Sequence, residues 1–187
     1  MAKLIAGIDE VGRGCLAGPV FAAAVILDRS RPITGLADSK TLNPNQRQRL
    51  YKIIIENAGA WAIGRAEASE IDNINILQAS LLAMSRAFSM LAIKPDWVRV
   101  DGIHLPKIDC LGETVIQGDT KYSEISAASI LAKVARDHEM ATLDKLYKGY
   151  SFSKHKGYPT KLHLQQLKHF GILQLHRKSF APVRQYC

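Results

Sequence analysis

The chain has 187 residues, 47% of them hydrophobic and 22% charged, which suits one globular domain with a sizeable core and excludes a disordered chain. Its longest apolar run, Cys15 to Leu27, is broken by Gly18 and Pro19 and is too short to span a bilayer, and acids follow the first residues too soon for a secretory leader. The net charge of +8 is unevenly spread: residues 145–187 hold nine Lys or Arg, four of the six histidines and no acid, leaving sixteen bases against seventeen acids elsewhere. A basic end on a nearly neutral body attracts polyanions, nucleic acid first among them, with a solvated basic helix face as the competing account. Three scattered cysteines, Cys15, Cys110 and Cys187, form no zinc ligand set and fit a reducing, cytoplasmic setting.

In chain order, Leu4 to Asp9 is an apolar run ending in acid and is predicted to be a buried strand. Pro19 to Leu27 is a second strand, joined to the first through a Gly/Pro-containing connection. Asn43 before Pro44 is predicted to cap a helix that runs to about Asn57 and is stopped by Gly59. Ala60 to Ala66 is the third strand, and Ile76 to Leu91 carries helical spacing at Leu77, Leu81, Met84, Ala87, Phe88 and Leu91. Trp97 to Asp101 and Glu113 to Gln117 complete five strands, the last closed by Gly118-Asp119. Ser123 to about Tyr147 is predicted to be one long helix with Ala127, Ile130, Leu131, Val134 and Met140 facing inward, and a second helix covers Thr160 to Phe170. Strands that come first in a cluster and then alternate with helices indicate a three-layer α/β fold with a mixed five-stranded sheet flanked by helices. Residues 1–187 are expected to form one domain, with 145–187 a basic helical appendage of it.

Three predicted strands end in carboxylates: Asp9-Glu10, Asp101 and, after Gly118, Asp119. Functional groups of α/β sheets gather at the carboxyl ends of strands. One such acid signals no more than a turn, but acids converging from several strands repel each other unless a cation compensates. Oxygen ligands without His or Cys select Mg²⁺ or Mn²⁺, ions suited to phosphodiester hydrolysis. Gly12-Arg13-Gly14 follows the first acids, and its backbone can approach a hydroxyl or an anion closely. Gly12, Gly14 and Gly18 miss the spacing of a dinucleotide fingerprint by one residue, and the adjoining acids would repel a pyrophosphate.

These residues carry a resemblance. Ile8-Asp9-Glu10-Val11-Gly12-Arg13-Gly14 with Ala17-Gly18-Pro19-Val20 resembles the N-terminal signature of the ribonuclease HII family. So do Asp38-Ser39-Lys40, Val100-Asp101-Gly102, Gly118-Asp119, the run from Ser126 to Asp137, His155-Lys156-Gly157-Tyr158 and the run from His176 to Pro182. The blocks span nearly the whole chain in order. The resemblance implies a ribonuclease H-like fold with a C-terminal helical extension. It implies an endoribonuclease that uses two Mn²⁺ or Mg²⁺ ions to cut RNA paired with DNA, leaving a 5′-phosphate and a 3′-hydroxyl. It further implies incision 5′ of single ribonucleotides embedded in duplex DNA, the opening step of ribonucleotide removal. By motif match, Asp9, Glu10, Asp101 and Asp119 take the places of four catalytic, metal-binding acids. Gly12, Arg13 and Gly14 match a loop that senses the ribose 2′-OH, Tyr158 a tyrosine that packs on the sugar, and Lys40 a basic position of a substrate-facing loop. The expected partners are an RNA–DNA hybrid or a ribonucleotide-containing DNA duplex, with no membrane, and the chain is expected to act as a cytoplasmic monomer.

The residues agree physically with those roles. Only the 2′-OH separates RNA from DNA at one position, so a sensor must touch it closely; Tyr158 alone would read as an aromatic at the core edge, but it stands in a Lys-His-Lys-Gly-Tyr loop. Asp137, beside Arg136, is expected in a structural ion pair and not as a fifth ligand. Asp38 is expected to shape the Lys40 loop, and His104 and His138 lack partners at ligand spacing. Neighbouring strand residues face opposite ways, so Asp9 is expected to be the central ligand and Glu10 the more variable one. Two rivals stay open: a nuclease of the same fold with another substrate, and a non-catalytic RNA-binding protein.

Overall fold

The computed structural model describes residues 3–36, 39 and 42–187. In chain order the elements are β1 (Ile5–Val11), β2 (Val20–Leu27), α1 (Pro44–Asn57), β3 (Ala58–Ala66), α2 (Ala68–Ser89), β4 (Trp97–Asp101), β5 (Gly112–Val115), α3 (Ser123–Leu146), α4 (Phe152–His155), α5 (Lys161–Phe170) and α6 (Ala181–Arg184). The five strands form one mixed sheet in the order β3-β2-β1-β4-β5. β1 runs antiparallel to β2, and β2 to β3, while β1–β4 and β4–β5 are parallel. Residues 12–19 join β1 directly to β2, α1 lies between β2 and β3, and α2 crosses over between β3 and β4.

Both faces of the sheet are covered, which is why β2 is apolar along its whole length. Ala6, Ile8, Ala22, Ala24, Val98 and Val100 meet Ile71, Ala79, Ala83 and Met84 of α2. On the other face Ala23 and Val25 meet Leu50 and Ile54 of α1 and Ile130, Leu131 and Val134 of α3. The inward residues expected on α3 are all buried. Gly7 lets that helix lie close: a side-chain carbon there would collide with the backbone of Glu124 and Ile125.

Local chemistry sets the boundaries. Asn43 caps α1 in a reciprocal box with Gln46, through contacts of 2.9 Å each way. The helix expected from Ile76 does begin there, because Asn75 leaves helical geometry at φ 66° and accepts from the N–H groups of Leu77 and Gln78. A further turn from Ala68 precedes that break and was not foreseen; Ala68 and Ile71 are buried, but seven residues are too few to carry a helical period. β1 extends past Asp9 through Val11, since Glu10 and Val11 still pair with Ala22 and Phe21. β3 starts at Ala58 and not Ala60, and β5 is shorter than expected, Gly112–Val115.

The C-terminal segment is stitched to the sheet domain by backbone and side chain. Leu16 N–H donates to Gly157 at 2.7 Å, Gly18 N–H to Leu175 at 2.8 Å, and Arg177 N–H to Leu16 at 2.8 Å. Asp72 of α2 accepts from the N–H groups of Lys178 and Ser179 at 3.0 and 2.8 Å.

Candidate active site

Register decides how the strand-end acids meet. Asp9 lies opposite Ala23, whose side chain faces α3, and Glu10 opposite Ala22, whose side chain faces α2. The two acids therefore leave β1 on opposite faces, as a strand requires. β1 pairs with β4 up to Ile8↔Val100, so the next step along both strands sets Asp9 abreast of Asp101 on the α3 side. β4 ends there while β1 runs on, and Glu10 reaches the same cleft around the end of the sheet. That cleft, about 130 Å³, is lined by Asp9, Glu10, Asp101, Ser129, Lys133 and Tyr158, with Val11 and Ser39. A larger depression of about 670 Å³ lies near the other end of the strands, but Arg31 and Arg99 on its wall are already paired with acids.

Asp9 is 5% exposed. Burial, then the charges of Glu10 and Asp101, hold its carboxyl well above the ordinary range, against the pull of a Ser129 hydrogen bond and the Glu10 N–H. Glu10 is also raised by burial, opposed by Arg13, whose guanidinium lies 3.1 Å from its carboxylate. Asp101 accepts from the Gly118 N–H at 2.7 Å, which ties β4 to the 3₁₀ turn Gly118–Thr120. Asp119 in that turn is buried but is not among the residues lining the cleft. A cluster whose charge is unfavourable by itself suits a hard divalent cation. Among the described residues no three His, Cys, Asp or Glu groups are yet drawn into a ligand set; each acid of the cleft is instead held by a local donor. Lys40 and Asp38 lie outside the described residues.

The Gly12–Gly14 loop leaves β1 beside the cleft. Gly12 has φ 95°, and a side-chain carbon there would run into the Arg136 guanidinium. Gly14 sits against Tyr158, with a built side-chain carbon 3.9 Å from its ring. Two arginines with no exposed surface brace this loop and the stretch that follows it to Pro19. Arg136 donates to the carbonyls of Ala17, Pro19 and Lys156 at 3.2, 3.2 and 2.8 Å. Arg177 donates to those of Gly12, Arg13 and Gly18. Neither arginine is foreseen as functional by the sequence reading. For Arg136 a signal existed: Ala132, Arg136 and Met140 recur every four residues on the buried face of α3. Asp137 does form an ion pair, but with Lys133 at 2.8 Å, while Arg136 bonds the carbonyls of Ala17, Pro19 and Lys156 instead.

Seven of the basic segment's nine Lys and Arg residues are exposed, but Arg177, His155, His163 and His176 are buried. His155 and His163 stack at 4.2 Å, and His163 Nε2 lies 3.2 Å from His176 Nε2. They brace the Tyr158 loop from beneath: His163 Nδ1 is 3.0 Å from the Tyr158 carbonyl, and Gly157 N–H donates to His155 at 3.1 Å. Burial, then the neighbouring histidine, push His163 and His176 down to about 4. With folded values below the unfolded one, their contribution is complete above about pH 6.5 and is lost as pH falls toward 4. One such histidine is worth about 3 kcal/mol of linkage, and the two are coupled and do not add. The stability advantage of the wild type over His176→Asn should therefore shrink between pH 7 and pH 4.5; thermal melts that keep the gap constant would exclude neutral buried histidines. Asp9 and Glu10 act with the opposite sign, and that comparison cancels them.

A mixed five-stranded sheet covered by helices on both faces, with acids at the ends of adjacent parallel strands, defines a ribonuclease H-like α/β protein. The family model for ribonuclease HII matches residues 6–183. The chain is 58% identical over 184 residues to ribonuclease HII of Methylococcus capsulatus, covering 98% of this chain and 95% of that one. Its structure is similar to ribonuclease H2 of Pyrococcus horikoshii OT3, with TM-score 0.78 and 26% identity over 97% of this chain and 96% of that one. It shares its fold with Bst-RNase HIII, a structure determined in complex with Mn²⁺, at TM-score 0.73 and 20% identity over 98% of this chain and 69% of that one. The chain belongs to the ribonuclease HII family and is a hydrolase acting on RNA in RNA–DNA hybrids. Among the described residues no helix is long and apolar enough to cross a membrane.

Proposed function

We propose that the cleft at the ends of β1 and β4 is the catalytic centre, and that it incises 5′ of single ribonucleotides in duplex DNA as well as cutting longer hybrids, leaving 5′-phosphate and 3′-hydroxyl ends. One observation carries this reading: Tyr158, delivered by the basic C-terminal segment, lines the same cleft as Asp9, Glu10 and Asp101. Two divalent ions, Mg²⁺ or Mn²⁺, would be held by Asp9 and Asp101, with Glu10 and Asp119 completing the set. When bound, such ions lower the pKa of an attacking water and neutralise charge on the leaving oxygen.

The chain's own residues supply the selection. Gly12, Arg13 and Gly14 bring backbone close to a 2′-OH, and Tyr158 offers its ring to the adjoining sugar. Exposed lysines of residues 145–187, with Lys40, hold phosphates of the duplex, so affinity falls with salt. The residues 1–187 work as one domain and as a monomer in the cytoplasm, in ribonucleotide removal linked to DNA replication. Tyr158→Ala tests the reading. Incision at one embedded ribonucleotide should fall about tenfold or more, the scale of a lost stacking contact, while the melting temperature falls less than for a buried core aromatic such as Phe152, because Tyr158 is 39% exposed. Wild-type rates from that variant at the junction would remove the sugar-packing role.

A further inference from the structure

Arg177 is fully buried, yet among the described residues neither it nor Arg136 has a carboxylate within ion-pair distance. Burying an unpaired cation is costly, and a fold in need only of stability is better served by apolar packing. What the charge obtains here is a set of carbonyls. The Arg177 fork takes the Gly12 and Arg13 oxygens at 2.8 Å each and the Gly18 oxygen at 2.9 Å. In a trans peptide the N–H points opposite to the C=O. Turning the Gly12 and Arg13 carbonyls toward the buried guanidinium therefore turns the N–H groups of Arg13 and Gly14 away from it, in a loop whose Gly14 lies beside Tyr158.

We propose that Arg177 is a positioning residue for ribose recognition: its buried guanidinium orients the peptides of Gly12–Gly14 so that the Arg13 and Gly14 N–H groups face the sugar beside Tyr158. This rests on the ribose-sensing reading above and adds the residue that enforces it. The turn carrying Arg177 is itself pinned, since Asp72 accepts from the Lys178 N–H at 3.0 Å, the Ser179 N–H at 2.8 Å and the Ser179 hydroxyl at 2.6 Å. Asp72 thus fixes the turn, the turn fixes Arg177, and Arg177 fixes the loop. A lysine keeps the charge but has one donor centre and cannot span carbonyls of separate peptides.

The test uses the full chain without divalent ions, so that nothing is cleaved. Binding is measured to two otherwise identical duplexes, one all DNA and one with a single ribonucleotide. The wild type should prefer the ribonucleotide duplex. Arg177→Lys should lose about tenfold of that preference, the worth of one to two net hydrogen bonds, while its affinity for the all-DNA duplex stays within about twofold of wild type. A preference left intact, or both affinities falling together with the melting temperature, overturns the proposal. If Arg177→Lys fails to fold, Asp72→Ala decides: it leaves Arg177 in place and loosens its turn, and an unchanged preference overturns the proposal equally. Absence of any preference in the wild type would instead remove the ribose-sensing reading itself, whereas a wild-type preference that survives both variants removes only the role of Arg177.

Discussion

Asparagine in place of Asp9 should lower hybrid cleavage by about a thousandfold or more, the scale of losing several kcal/mol of charge stabilisation, and should at the same time raise the melting temperature of the metal-free protein. The two effects have one cause. Asp9 is 5% exposed, and its carboxylate is opposed by burial and by Glu10 and Asp101. A neutral amide relieves that opposition and still accepts from the Glu10 N–H, which now lies 2.7 Å from Oδ1. Hybrid binding should survive, because the exposed bases are untouched. Cleavage assays with Mg²⁺ and with Mn²⁺, beside melts in a chelator, check both halves. Retained cleavage removes the metal-site assignment; lost cleavage with a lower melting temperature means that Asp9 is chiefly structural.

Gly12→Ala should be among the most damaging single-carbon additions in the chain. At φ 95° any side chain is strained, and the added carbon falls on the Arg136 guanidinium, which is fully buried and held by three carbonyls. Backbone strain together with weakened charged hydrogen bonds to buried carbonyls should cost about 3 kcal/mol or more. Denaturant unfolding measures the loss. Gly35→Ala is the control: its φ of 83° brings strain, but nothing lies within 4 Å of its added carbon. Equal losses from both substitutions would show that strain alone acts at Gly12 and that Arg136 yields freely.

Much of this architecture is legible in the sequence. Trp97 to Asp101 and the capped helix from Pro44 to Asn57 have the expected bounds, because each is marked by local chemistry: an acid after alternating valines, and an amide before a proline. The strand-end acids were legible for a similar reason. Elements without such marks were missed. α4 and α6 have four residues each, shorter than any period that can be counted. In the basic segment the charge and the helix expected from Thr160 to Phe170 were legible, α5 being Lys161–Phe170 with Thr160 as its cap, but the burial of its histidines was not, since nothing local tells an exposed histidine from one stacked at 4.2 Å on another.

The division follows from range. Residue type and spacing established that acids end strands, that glycines follow the first pair, and that one end of the chain is basic, and the ordered motifs carried the family. Those are statements about neighbours in sequence. Which acids share a cleft depends on the pairing of β1 with β4, nearly a hundred residues apart, and that pairing sets Asp9 beside Asp101. The same holds for Arg177, which grips carbonyls more than 150 residues away and lies on no periodic face. Asp9 and Glu10 are adjacent in the chain yet unequal in place: pleating sends them to opposite faces, and the early end of β4 lets Glu10 return to the cleft that Asp9 already occupies.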